Sequence, residues 1–188
     1  MCVLEIGCGW GGFAMFAARE YGCHVTGITL SKEQHAFASR AVAEAQLSHL
    51  IDIQIIDYRD VRGTFDRIAS IEMFEAVGEE HWPAYFSVVR ERLKPGGAAG
   101  LQIITIDDAR FEEYRNTADF IQLYIFPGGM LPSPSALRKE VTKQGLGFET
   151  VQTFSKSYAE TLRRWREVFD ARWPTIAPLG FDERFKRM

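Results

Sequence analysis

Glu5-Ile6-Gly7-Cys8-Gly9-Trp10-Gly11-Gly12 sets an acid ahead of four glycines crowded into residues 7–12. Glycines so placed let a backbone bend sharply and approach a ligand with no Cβ in the way. The plain alternative is a tight strand-to-helix turn with no ligand. A dinucleotide site asks for Gly-x-Gly-x-x-Gly and an acid about 20 residues on, closing the second strand. Here that strand closes as Gly27-Ile28-Thr29-Leu30-Ser31, with no carboxylate, and Trp10 stands where a pyrophosphate needs open backbone. An acid before the glycines (Glu5), a second acid after the third strand (Asp57) and no phosphate-binding lysine suit an adenosine ligand whose other half is an amino acid. S-adenosylmethionine is such a ligand.

Other side chains carry chemistry more quietly. Gln34 can donate to and accept from ribose hydroxyls, and it also stands at the third position of a capping box opened by Ser31, so two uses compete for one amide. Glu75, flanked by Met73, Phe74 and Val77, is expected to be partly buried just past the fourth strand, and a buried carboxylate needs a partner. Glu72, three residues earlier, is the weaker candidate. Four histidines (His24, His35, His49 and His81) show no metal spacing, and the three cysteines (Cys2, Cys8 and Cys23) are read as reduced thiols.

Positioning these groups takes strands that alternate with helices. Apolar or β-branched runs recur at Cys2–Ile6, His24–Thr29, Ile51–Ile56, Asp66–Glu72, Ala98–Ile106 and Phe148–Phe154. Helical patterns lie between them: Ser31–Leu47, Glu79–Leu93 stopped by Lys94-Pro95-Gly96-Gly97, a run from Ser133-Pro134 to Gly145, and Tyr158–Trp173 broken at Pro174. Such alternation predicts a doubly wound α/β fold with a mostly parallel sheet, in one domain over 1–188. Residues 107–133 interrupt the alternation after strand five with an aromatic run, Phe120 to Phe126. An insertion at the carboxyl edge of a parallel sheet is a lid candidate. The chain starts at the first strand and stops inside Asp182–Arg187, which predicts truncation at both ends.

Composition removes several classes. With 22 Lys+Arg against 25 Asp+Glu the formal net charge is −3 and no basic block exists, so a nucleic-acid partner is not expected. No apolar run approaches the ~20 residues of a membrane span, and no signal-like start is seen, so the protein is read as cytoplasmic.

Five blocks then identify a resemblance: Glu5 to Gly12, Gly27-Ile28-Thr29-Leu30-Ser31-Lys32-Glu33-Gln34, Asp57-Tyr58-Arg59-Asp60, Met73-Phe74-Glu75-Ala76-Val77-Gly78, and Tyr124 to Ser133 with its Phe126-Pro127-Gly128-Gly129 centre. Over residues 2 to about 175 the sequence resembles the cyclopropane fatty acid synthase family of S-adenosylmethionine-dependent methyltransferases. The resemblance implies a class I, Rossmann-like methyltransferase fold. It also implies transfer of a methyl or methylene group to the double bond of an unsaturated fatty acyl phospholipid, with transient contact at the inner membrane surface. It sets Gly7 and Gly9 against the methionine half of the cofactor, Thr29 to Gln34 with Leu30 among them at the ribose, and Tyr58-Arg59 beside the adenine, with Glu5, Trp10, Gly11 and Asp57 also among the cofactor-binding residues. Glu75 and Tyr158 are implied to hold a bicarbonate ion that acts as base. Gln102 stands where the family places a histidine on that ion, and an amide cannot carry its charge. Phe74, Tyr85, Phe86, Phe120, Tyr124 and Phe126 offer aromatic faces for a developing cation, though at most of these positions a core role is the stronger expectation. A methyltransferase for another small apolar substrate, or a cofactor-binding chain without catalysis, stays open at this point.

Overall fold

The computed structural model describes residues 1–150 and 152–188, in two compact units, Met1–Phe148 and Glu149–Met188. The first unit is built on a parallel sheet of five strands: β1 (Cys2–Ile6), β2 (His24–Thr29), β3 (Ile51–Ile55), β4 (Phe65–Ile71) and β5 (Leu93–Gln102). Their order is β3-β2-β1-β4-β5. The order reverses beside β1, the switch point where open α/β sheets bind ligands. All four pairings are parallel, so every strand points its carboxyl end to the same edge.

Side chains alternate between two cores. Val3, Val25, Ile51 and Ile53 face α1 (Gly12–Tyr21) and α2 (Lys32–Glu44), which meet them with Ala14, Ala17, Ala18, Ala38 and Val42. Small residues allow close approach: a Cβ added at Gly11 would lie 3.1 Å from the Ala38 Cβ. Leu4, Ile6, Ile28 and Ile68 face the other way, onto α3 (Trp82–Arg92) and α5 (Pro134–Lys143), in a core with Phe74, Trp82, Tyr85 and Phe86 at its centre. Phe74 packs on Trp82, Tyr85 and Phe86 at ring-centroid separations of 5.1–5.5 Å. These rings are core, not faces for a cation.

Two strand expectations change. α3 ends at Arg92, beside the expected end at Leu93, but Lys94-Pro95-Gly96-Gly97 does not precede strand five: it bulges within β5. Leu93 already pairs with Phe65, and pairing resumes at Arg67↔Ala98. Pro95 has no N–H for the ladder, and Gly96 takes a φ of +75°. At its far end β5 stops at Gln102, because the next amides leave the sheet: Ile104 N–H donates to Glu75 Oε1 and Ile106 N–H to the Pro132 carbonyl. The expected sixth strand, Phe148–Phe154, includes Val151, which lies outside the described residues; 148–150 and 152–154 form no strand.

The insertion contains α4 (Asp108–Asn116) and a π-helical turn over Ile121–Ile125. Arg115 Nε donates to Glu79 Oε2 at 2.8 Å, Phe111 stacks on Trp82, and the Met130 N–H donates to the Glu75 carbonyl. Phe120, Leu123, Tyr124 and Phe126 remain exposed.

The second unit holds α6 (Ser155–Ile176) and α7 (Glu183–Arg187). The helix expected to break at Pro174 runs on to Ile176 with Pro174 inside it. Glu160 with Arg163 and Arg164, Arg163 with Glu167, and Arg166 with Asp170 line it with ion pairs one turn apart. No helix among the described residues is long and apolar enough to cross a membrane.

Phe86→Ala is expected to lower stability by about 3–5 kcal/mol, the usual cost of emptying a buried aromatic site. Leu30→Ala, at a side chain 70% exposed, should stay within about 0.5 kcal/mol. Urea unfolding of the two variants checks both values.

Candidate functional site at the carboxyl edge

The glycine turn leaves β1 at Ile6 and enters α1 at Gly12. Gly7, Gly9 and Gly11 have φ values of +79°, +53° and +85°, the left-handed region that favours glycine. A Cβ at Gly7 would lie 2.7 Å from the Met73 Cγ, whereas one at Gly9 would meet nothing within 4 Å. The backbone at Gly9 is thus open to a ligand. Trp10 is 55% exposed, edge-on to Phe37 with centroids 5.3 Å apart.

Glu5 lies under this turn, 3% exposed. Its strand neighbours are Gly27 and Ala69, neither of which offers a polar side chain. Burial pushes its carboxyl up to about 8, partly offset by the Ala14 N–H at the start of α1. Its Oε2 is buried with no hydrogen-bond partner. Burial, and then the Glu5 carboxylate, push the Cys8 thiol up to about 11.

At the end of β2 the two uses of Gln34 separate. Its main-chain N–H is capped by Ser31 Oγ at 3.1 Å, while its side-chain carbonyl accepts from the Thr29 hydroxyl at 2.7 Å. The Ser31 N–H goes to Thr29 Oγ1 instead, so the Gln34 amide takes no part in a reciprocal capping box. Leu30 is exposed beside them. Beyond β3, Asp57 caps a short 3-10 turn, Tyr58–Asp60. Arg59 grips both Asp57 oxygens at 2.9 and 2.7 Å, which holds the Asp57 carboxyl below its ordinary range. The same guanidinium lies 5.8 Å from the centre of the Tyr58 ring.

Two carboxylates stand past β4. Glu75 is half-buried, and its Oε1 accepts from the Ile104 N–H at 2.6 Å. Its Oε2 is buried without a partner; burial, and then the nearby Glu72 charge, raise the Glu75 carboxyl. Gln102 Nε2 donates to Glu72 Oε1 at 2.7 Å. That contact is missing from the sequence reading, which ranked Glu72 below Glu75. Two acids three residues apart at a strand end were the only signal for it. Tyr158 belongs to the second unit, at the first turn of α6, with its ring 6.4 Å from that of Trp165. Among the described residues no cluster of His, Cys, Asp and Glu could hold a metal.

The Gln102 amide is taken by Glu72 Oε1, whereas Glu75, on whose side the resemblance implies an ion, keeps a buried oxygen without a partner. The glycine turn and the end of β2 fit the two parts of an adenosyl ligand, its cation-bearing half and its ribose. Glu5 offers a buried acid with a free oxygen, Gly9 an open backbone, and Gln34 an amide clear of its helix cap.

The five-strand switch-point sheet and its glycine turn define a class I methyltransferase fold. Within that class the match is specific: the mycolic acid cyclopropane synthetase family covers residues 1–188, and the chain belongs to that family. It is 46% identical over 188 residues to tuberculostearic acid methyltransferase UfaA1 of Mycobacterium tuberculosis, covering 99% of this chain and 44% of that protein. It is 40% identical to the cyclopropane-fatty-acyl-phospholipid synthase of Escherichia coli K12, covering 100% and 47%. The chain therefore spans about half the length of these relatives. The mycolic acid cyclopropane synthase CmaA1, solved with SAH and CTAB, superposes with a TM-score of 0.90 at 30% identity, over 100% of this chain and 69% of that one.

Glu5 generates a pH test. The unfolded carboxyl ionises near 4.5 while the folded one stays neutral to about 8. The folded state therefore binds more protons across that window, and stability falls as pH rises through it. Glu5→Gln should flatten this decline, gaining relative to the parent at pH 8 and not at pH 4; thermal melts from pH 4 to 9 measure it.

Proposed function

We propose that the protein transfers a methyl group from S-adenosylmethionine to the double bond of an unsaturated fatty acyl phospholipid, leaving a cyclopropane or methylene-branched chain. The observation that carries this reading is the open backbone at Gly9 above the buried Glu5 oxygen, in a family whose similar members are named as cyclopropane synthases and a tuberculostearic acid methyltransferase. When bound, the cofactor supplies an electrophilic methyl on a positively charged sulfur.

The chain's own residues bind, orient and shield. The turn at Gly7, Gly9 and Gly11 admits the methionine half beside Trp10, and the positive charge of that ligand favours the ionised form of Glu5, which burial alone keeps neutral to about 8. Thr29 and Gln34 face the ribose with a hydroxyl and an amide, with Leu30 covering it. Asp57, Tyr58 and Arg59 flank the adenine, the Arg59–Asp57 pair stiffening that loop. Glu75 and Gln102 form the side of the site that handles the proton. An alkene needs no activated nucleophile, so catalysis is positioning and stabilisation of a developing cation in a dry pocket. Phe120, Tyr124 and Phe126, exposed on the insertion, suit an acyl chain and a membrane surface, and the insertion acts as the lid.

Calorimetry should detect S-adenosylmethionine or its demethylated product binding to the parent, and no heat with NAD. Gly9→Val should abolish that binding, because a β-branched residue both resists the left-handed backbone and fills the ligand's space. NAD binding in place of the methionine cofactor would overturn the reading. Glu75→Gln should lower kcat and kcat/KM together by about a hundredfold, with cofactor affinity nearly unchanged, since the lost interaction acts in the transition state. Steady-state kinetics beside the calorimetry check it, and parental kinetics would leave Glu75 a loop acid.

A further inference from the structure

The core beneath the carboxyl edge holds two hydroxyls that packing alone does not call for. Tyr85, on α3, is fully buried, and Ser70, near the end of β4, is 2% exposed. The Tyr85 ring meets Phe74, Phe86 and Tyr58 with centroids 5.1, 5.3 and 5.4 Å apart. A phenylalanine would make the same three contacts with no hydroxyl to satisfy. Among the described residues neither the Tyr85 nor the Ser70 hydroxyl has a hydrogen-bond partner of ordinary geometry. Buried polar groups left so are rare and costly, and each asks for a reason.

Glu75 Oε2 is buried and unmet as well. Glu75 follows Phe74, the ring on which Tyr85 packs, and both the Ser70 hydroxyl and the Glu75 charge act on the Tyr85 oxygen. Tyr58 acts on that oxygen from the short turn after β3, with Asp57 and Arg59 behind its own ring. Around Glu75 stand the Ile104 N–H on Oε1 and the charge of Glu72, which Gln102 holds at a φ of +50°. Neither brings a positive charge, so a neutral donor has to favour the ionised carboxyl, and the two hydroxyls are such donors. One water bonded to Tyr85, Ser70 and Glu75 Oε2 would make the three bonds usual for a buried water.

We propose that Tyr85 is a positioning residue of the site: its hydroxyl, joined by that of Ser70 and one buried water, bonds the free Glu75 oxygen from below and fixes that carboxylate at the edge. Its place in catalysis rests on the methyl-transfer reading above, in which Glu75 lies on the side that handles the proton. A carboxylate oxygen has two lone pairs, so a bond from the core leaves the second for a group bound at the edge. Burial and the Glu72 charge favour the neutral Glu75 carboxyl, and the hydroxyls work against both. Tyr85 also touches Tyr58, so one buried side chain joins the proposed adenine side of the site to its proton side.

Carbon-13 NMR of labelled glutamate carboxyls tests this in cofactor-free protein, with the Glu75 signal assigned by its loss in Glu75→Gln. Tyr85→Phe keeps the ring and its packing and removes the hydroxyl. The Glu75 titration should then move upward by about one pH unit, a tenfold weaker ionisation. Ser70→Ala should move it the same way by less, and ortho-fluorotyrosine in place of Tyr85, whose more acidic hydroxyl donates more strongly, should move it downward. In turnover the acid limb of the kcat profile should follow the same order, with calorimetric cofactor affinity held within about twofold. A residue that merely fills the core would lower turnover alike at every pH. Glu75 titrating at one pH in the parent, Tyr85→Phe and the fluorinated protein would overturn the assignment, as would a crystal structure of the parent with no water between the three oxygens. Failure of the methyl-transfer reading looks different: the parent then shows no turnover, while the titration still reports whether the hydroxyls reach Glu75.

Discussion

Parallel pairing is the constraint on which the site depends. A parallel strand cannot be followed directly by its neighbour; the chain must cross over through a helix and begin again at the same edge. Four such crossings, three through α-helices and the one between β3 and β4 through the short 3-10 turn Tyr58–Asp60, bring five strand ends together. β1 ends in the glycine turn, β2 at Thr29, β3 just before Asp57, β4 just before Glu72 and β5 at Gln102. The register Ile6↔Ile28 and Thr29↔Ile55 levels the first three ends, and Ile71↔Gln102 levels the last two. Residues nearly a hundred positions apart in sequence thus share one edge, each on a short segment anchored by a buried strand.

Electrostatics at that edge runs against ordinary stability. Glu5 and Glu75 each bury a carboxylate oxygen with no partner, and both acids are raised by desolvation. A fold selected for stability alone would place apolar residues there. Buried acids around an open backbone turn instead suit a ligand that arrives with positive charge, and a proton that must be accepted. The insertion is tied to this edge through the main chain, the Met130 N–H donating to the Glu75 carbonyl at 2.9 Å.

Much of this was legible in the sequence where local chemistry decides local structure. β1 to β4 follow from short β-branched runs, α2 from Ser31, and the turn at 7–12 from glycines that alone tolerate its positive φ values. The Lys94-Pro95-Gly96-Gly97 bulge was misread because a stop signal and a bulge share the same residues; only the pairing of Leu93 with Phe65 separates them. The two uses of Gln34 could not be separated either, since the Thr29 hydroxyl that takes its amide does so through the end of β2. Glu72 was hidden for a stronger reason. Its left-handed backbone is imposed by two bonds to a residue 30 positions away, and nothing in its neighbours Ile71 and Met73 announces that. Phe74, Tyr85 and Phe86 were ambiguous between core and cation, and packing decided for the core.

On the proposed reading, this edge carries a one-carbon group from the cofactor to an acyl double bond. Unsaturated phospholipid vesicles incubated with the protein and S-adenosylmethionine labelled with carbon-13 in its methyl group, followed by mass spectrometry of the lipids, test it most directly. The account predicts a gain of one labelled CH2 unit per modified acyl chain, with loss of the double bond or its conversion to a branch. Label on a head group, or acyl chains unchanged while the cofactor is consumed, would contradict it.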